Sequence, residues 1–243
     1  MCIIAYKPVG VSFPSKKQFK TMFENNPDGC GYMFADNGKV TIRKGLMEYD
    51  EFKRAFKADL FGRIDIPVVF HFRIATHGGI NRAMTQPFPL SSKTKKLKAL
   101  NTCADVGIAH NGIIPLTYNA RDISDTALFI KNYMPRLSEH GFDSIALDLI
   151  ESAIDSRMAI LESCGKCHIL GANWQICNGI YYSNDSYKER KRKAKSNSKY
   201  LPYSYDSFDY SLCDGNCDYC TNKLICFGTE SDIYKVSDRD MEL

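Results

Sequence analysis

The order in which hydrophobic periodicities follow one another constrains this chain most. Segments of strand character open and close its first 186 residues, and segments of helical period stand between them at irregular intervals. Cys2 to Lys7 reads as a buried strand, and Ser15 to Asn25 as a helix with Ser15 as cap and Phe19, Met22 and Phe23 on one face. Gly31 to Ala35 and Lys39 to Arg43 flank Asp36-Asn37-Gly38. Asn-Gly accepts the positive φ angles of a type I′ turn, so these two segments form a hairpin. Glu48 to Leu60 carries Phe52, Ala55, Phe56 and Leu60 at helical spacing, and Val68 to Ile74 is a continuous apolar strand. Val106 to Ala109 is a further strand, Asp125 to Leu137 and Ser144 to Ser156 are helices, and Met158 to Tyr182 holds two or three more strands. This succession lacks a regular βαβ alternation. The expected class is therefore α+β, a mixed and largely antiparallel sheet system with packed helices. A glycine-rich phosphate loop and internal repeats are absent.

Of the 243 residues, 25% are charged and 44% hydrophobic, which excludes disorder as the main state and fits one folded domain with a small appendage. Apolar runs such as Ile66 to Phe70 stop far short of the roughly 20 residues that cross a bilayer, so no membrane contact is expected. The first residues lack a basic stretch leading into a long apolar core, and the expected location is the cytoplasm. There the ten cysteines serve as reduced thiols for metal binding or catalysis rather than as disulfides. A formal charge of +4 is too small to imply nucleic-acid binding by itself. Composition changes abruptly near Tyr187. The expected division is a folded domain over 1–186, a basic and polar linker over 187–212, and a cysteine-rich tail over 213–243. The run Lys188 to Lys195 reads as a solvated linker, with contact to nucleic acid or an acidic partner the less favoured alternative.

Cys2 carries the first chemical signal. Once Met1 is removed, this residue holds a thiol and a free α-amine whose ordinary pKa values, about 8.5 and about 8, let them exchange a proton near neutrality. Alone, it reads more readily as a small buried strand residue. Four further segments follow it in order: Asn26-Pro27-Asp28-Gly29-Cys30-Gly31, His71-Phe72-Arg73-Ile74-Ala75-Thr76-His77-Gly78, His110-Asn111-Gly112-Ile113-Ile114 and Ser124-Asp125-Thr126.

With Cys2, these segments resemble the class II glutamine amidotransferases, the family of N-terminal nucleophile hydrolases that release ammonia from glutamine. The resemblance runs from Cys2 to Ile180 and implies a four-layer αββα sandwich. It implies Cys2 as nucleophile and, through its amine, as base. It makes the Asn111 side chain and the Gly112 N–H the oxyanion donors, Arg73 the clamp on the substrate α-carboxylate and Asp125 the partner of its α-ammonium, with Thr76 and His77 lining the pocket. These residue types suit those jobs. Amide hydrolysis needs an attacking atom, a proton acceptor and oriented donors, and a guanidinium meets a carboxylate through two parallel bonds. His71, His77 and His110 are expected in pocket walls rather than as zinc ligands.

Some positions depart from the family pattern. Ile3 stands where glycine usually follows the cysteine, Ile74 where a larger aromatic is common, Asn26 where arginine is common, and Gln86-Pro87-Phe88 where many members have a histidine-proline. These shape the pocket and bear on substrate preference more than on the attack. Too little chain follows Tyr182 for a synthetase domain, so any ammonia acceptor is expected to be a separate protein. Two hypotheses result: an amidohydrolase acting on glutamine or another γ-glutamyl small molecule, or a catalytically silent domain of the same fold that binds or scaffolds. In the tail, the spacing Cys213-x₃-Cys217-x₂-Cys220-x₅-Cys226 suits structural zinc ahead of free or disulfide-linked thiols or an iron–sulfur cluster. Cys164, Cys167 and Cys177 are expected as packed thiols on strands.

Overall fold

The structure is a computed structural model that describes residues 2–75, 79–115 and 123–189. Of the linker expected over 187–212 the described residues include only 187–189, where Tyr187 is buried with the folded domain; the rest of the linker and the cysteine-rich tail lie outside the described residues. In chain order the strands are β1 (Ile3–Lys7), β2 (Cys30–Asp36), β3 (Lys39–Leu46), β4 (Val68–Phe72), β5 (Phe88–Pro89), β6 (Asn101–Ala104), β7 (Val106–Asn111), β8 (Arg157–Glu162), β9 (Cys167–Leu170), β10 (Gln175–Cys177) and β11 (Ile180–Tyr182). The helices are α1 (Lys16–Asn25), α2 (Tyr49–Leu60), α3 (Thr94–Lys98), α4 (Asp125–Asn132), α5 (Met134–Leu137) and α6 (Ser144–Ile154). None of the described helices is long and apolar enough to cross a membrane.

Local chemistry accounts for several boundaries. Ser15 caps α1 reciprocally: its Oγ accepts from Gln18 N at 3.2 Å while Gln18 Oε1 accepts from Ser15 N at 2.9 Å. Asn37 and Gly38 take φ values of 49° and 68°, turning β2 into β3 as the hairpin reading requires. The helix expected over Asp125 to Leu137 is instead two, α4 and α5, because Pro135 has no N–H to continue the ladder and its ring clashes one turn back. The segment expected to hold two or three late strands holds four. Gly165, Gly171, and Asn178 with Gly179 all adopt positive φ at the intervening turns and let the chain reverse within a few residues.

Two antiparallel sheets result, one ordered β10-β11-β1-β4-β2-β3-β6 and the other β5-β7-β8-β9. Side chains alternate between their faces with the period of two that strands impose. In β1, Ile3 and Ala5 join an aromatic core with Phe19 of α1 and Phe52 of α2, whereas Ile4 joins Met33, Ala109 and Ala159 in a separate core drawn from both sheets. In β8, Met158 and Ile160 pack with Ile130 of α4 and Ile150 of α6. Small residues let the sheets approach: a Cβ on Gly107 of β7 would stand 2.5 Å from Met33 Sδ of β2. The two sheets thus meet through one core, and the helices cover their other faces. The arrangement sets the end of β7 over the ends of β1 and β4, where His71 Nε2 donates to His110 O at 3.2 Å.

Candidate active site

Cys2 precedes β1, and its sulfur is held by the chain just past β4. Ile74 N donates to Sγ and Sγ donates to Ile74 O, each at 3.3 Å. The expected strand to Ile74 ends at Phe72 for this reason. Arg73 N–H turns to Gly29 O at 2.9 Å, and the next N–H serves the thiol rather than a neighbouring strand. Burial pushes the Cys2 thiol up from its ordinary range, against the opposing pull of the Ile74 N–H and the Arg73 charge. A protonated sulfur in this setting attacks only if a neighbouring base takes its proton during the reaction.

Arg73 is 4% exposed. Burial pulls its guanidinium down, and Cys2, Asp28 and Asp125 oppose that pull, which places all three within electrostatic reach of one cation. Asp28 is tied to the same segment twice: Asp28 N donates to Arg73 O at 2.9 Å, and Asp28 Oδ2 accepts from Ala75 N at 2.8 Å. Asn26, where the resemblance leads one to expect arginine, is folded inward at the end of α1, its Nδ2 donating to Met22 O at 2.8 Å. Asp125 opens α4 and already accepts from Ile114 N at 2.9 Å and Thr126 N at 2.7 Å. It therefore anchors the segment after Gly112.

Asn111 ends β7, buried, and its Nδ2 donates to Ser183 Oγ at 2.8 Å. The same oxygen accepts from Ile4 N at 2.8 Å, and Asn184 Nδ2 donates to Cys2 O at 2.6 Å. Ser183 and Asn184 thus hold the Asn111 side chain and the Cys2 backbone from one short segment. Glycine at 112 answers a packing demand: a Cβ there would collide with Ser156 Cβ and lie 2.7 Å from its Oγ. His110, two residues before Gly112, is clamped on every polar atom. Its N–H donates to Gln86 Oε1 at 2.7 Å, its Nδ1 lies 3.0 Å from Thr126 Oγ1 and its Nε2 2.6 Å from Ser156 Oγ. Ser156 gives its own hydrogen to Ile154 O at 2.7 Å, so it can only accept from His110.

His71 and His110 are buried, and burial lowers them to about 3 and about 4. Arg73 adds to the first shift and Asp125 opposes the second. Unfolded, both imidazoles bind protons below about 6.5, while in the fold they stay neutral. The stability they contribute is complete above that pH and is lost as pH falls through the folded values. The melting temperature is expected to fall steeply from pH 6 toward pH 4, and His71→Gln to flatten that slope. Thermal melts across this range check it; parallel slopes for the two proteins would refute it.

Cys2, Arg73, Asn111, Gly112 and Asp125, predicted from sequence, are thus gathered around the ends of β1, β4 and β7. Thr76 and His77 lie outside the described residues, as do Cys213, Cys217, Cys220 and Cys226. Among the described residues no cluster of histidine, cysteine and carboxylate side chains could hold a metal. Cys164 is exposed in a turn rather than packed, and Cys167 and Cys177 are half-buried on strands. A cleft of about 410 Å³ lies elsewhere, between β3 and α2, and none of the predicted site residues lines it. Gln86, expected only to shape the pocket, instead holds the His110 N–H, while Ser156, Ser183 and Asn184 were not anticipated as parts of the site. The only available sign in the sequence for the last two was a pair of small polar residues directly after an alternating strand, which reads as a turn. No protein-family model matches the chain, and no curated protein matches it.

Proposed function

We propose that this protein is an amidohydrolase of class II glutamine amidotransferase type, with the four-layer αββα sandwich of N-terminal nucleophile hydrolases as its fold. The observation that carries the reading is that one short segment, Ser183 and Asn184, holds both the Asn111 side chain and the Cys2 backbone, while the Cys2 sulfur is held at Ile74, next to the buried Arg73. In the proposed reaction, removal of Met1 frees the Cys2 α-amine, which takes the thiol proton as Sγ attacks the side-chain amide carbon of glutamine or a related γ-glutamyl compound. Negative charge develops on the amide oxygen, and the Asn111 amide and the Gly112 N–H stabilise it. The amine then returns the proton to the leaving nitrogen as the C–N bond breaks, and water hydrolyses the thioester to free the thiol. Arg73 holds the substrate carboxylate, Asp125 its ammonium, and the backbone near Thr76 and His77 the remaining wall. Released ammonia passes to solution or to a separate acceptor protein. The tail enters the proposal only as a zinc-held docking appendage, on the spacing of its cysteines.

One observation favours the silent alternative, a binding or scaffolding domain: both polar groups of Ile74 occupy the Cys2 sulfur and burial keeps its proton on. Glutamate and ammonia release across a panel of γ-glutamyl amides, measured on protein whose N-terminus has been determined by mass, separates the two. Release by protein beginning at Cys2 supports the enzyme. Silence toward the whole panel, or full release by protein retaining Met1, overturns the mechanism. Within it, Arg73→Lys is expected to raise KM for glutamine tenfold or more with kcat within about threefold, because lysine keeps the charge but loses the paired bonds to carboxylate. Steady-state kinetics decide; a loss confined to kcat would remove Arg73 from the clamp.

A further inference from the structure

The pairing of Asn111 with Ser183 leaves a specific imbalance. Ser183 is fully buried, and its hydroxyl oxygen accepts from Ile4 N and lies 2.8 Å from the Asn111 amide. With Nδ2 turned toward Ser183, that oxygen accepts twice, and no hydrogen bond from the Ser183 hydroxyl is found among the described residues. At the other end of the amide, Asn111 Oδ1 is buried and has no partner among the described residues. A donor and an acceptor are thus both unused within one buried contact. The two ends of an asparagine amide have the same shape, so the hydrogen-bond inventory decides which end faces which neighbour. A half-turn about the Cβ–Cγ bond repairs both faults at once: the Ser183 O–H donates to Oδ1 over the same distance, and only the NH₂ remains unfilled.

We propose that Ser183 is a positioning residue that fixes the Asn111 amide with its oxygen toward Ser183 and its NH₂ at the buried end remote from it. Ser183 is suited to this because its place is set independently of Asn111. Ser183 N donates to Ile4 O at 2.9 Å and Ile4 N donates back to Ser183 Oγ, so the residue is locked to β1 by both groups. With Ile4 N–H occupying one lone pair, a second lone pair and the hydroxyl hydrogen remain, and of these only the hydrogen can serve the unpartnered Asn111 Oδ1. The strand that carries the nucleophile thereby sets the direction of the oxyanion donor on the other sheet. Without the hydroxyl the amide is free to present its oxygen to the developing negative charge, which repels rather than stabilises it. This inference rests on the amidohydrolase reading for its consequence in catalysis, but the orientation itself is a property of the folded chain.

Two measurements test it. Neutron diffraction from crystals of the full chain in heavy water locates the hydrogens directly. A deuterium on Ser183 Oγ pointing at Asn111, with both amide deuteriums on the remote atom, is the expected result; an amide deuterium directed at Ser183 overturns the proposal whether or not the protein is an enzyme. Kinetics supply the second arm. Ser183→Ala is expected to lower kcat for glutamine hydrolysis by about ten- to a hundredfold with little change in KM, and to add no more than about twofold to the loss already caused by Asn111→Ala. An equal fold loss in both backgrounds, or an unchanged kcat in folded Ser183→Ala, overturns the positioning role. Absence of Cys2-dependent hydrolysis in the parent protein defeats the amidohydrolase reading instead, and the neutron map still decides the orientation. The same map decides it should the alanine variant fail to fold.

Discussion

Cys2→Ala is expected to abolish release of glutamate and ammonia, a loss of about a thousandfold or more, while the protein stays folded. The thiol in the proposed reaction is both attacking group and acyl carrier, so no neighbouring side chain can substitute for it. Structurally the sulfur does little: it exchanges two bonds with Ile74, and losing the acceptor for one N–H costs about 1–3 kcal/mol. Turnover assays paired with thermal melts separate the two effects, and near-parental turnover would end the assignment. A glutamine-shaped electrophile gives an independent check. Among the described cysteines, Cys103 and Cys164 are exposed and meet a general alkylating reagent first, whereas Cys30 is fully buried and burial pushes its thiol well up. Labelling of Cys2 ahead of Cys103 and Cys164 means recognition by a site; the reverse order means simple accessibility.

Asn111→Ala is the second large effect expected, a fall in kcat of about a hundredfold or more with KM nearly unchanged. An oxyanion donor acts mainly where charge develops, so its removal raises the barrier without loosening the bound substrate. The contrast with Arg73→Lys, whose loss belongs in KM, is what the separate placement of the two residues predicts. Arg73 extends the β4 segment in the larger sheet, and Asn111 ends β7 in the smaller one. Identical kinetic profiles for the two variants would show that the site does not divide into clamp and donor. A stability loss accompanies Asn111→Ala as well, because Ser183 loses its neighbour, so kcat is compared at a temperature where both proteins are folded.

Residues whose roles depend on near neighbours were legible. The Ser15 cap and the Asn37-Gly38 turn follow from φ preferences and bonds spanning a few positions, and the alternation along β1, β2 and β8 follows from strand geometry. Pro135 was equally visible but was outweighed by the apolar period on either side, which made one helix of two. Lys44 shows the opposite case. A lysine in a strand reads as a surface residue, yet this one is 2% exposed, its amine donating to Ala83 O at 2.8 Å and Leu97 O at 2.6 Å above the Phe88 ring. Burial lowers it to about 6, and no pattern around position 44 announces the carbonyls that receive it.

The sequence by itself determined the local elements, the α+β character and the set of chemically capable residues, because each depends on side-chain type and short-range spacing. Only the tertiary structure decided how those residues serve one another. Asn111 and Ser183 are 72 positions apart, Asp28 and Ala75 47 apart, and His110 and Ser156 46 apart. Their contacts exist because β11 pairs with β1, β2 with β4 and β7 with β8, and because small residues let one sheet lie close on the other. A hydrogen bond across such a distance leaves no period in the chain. It is set by strand register and sheet packing, which place a lone serine after β11 against the end of β7.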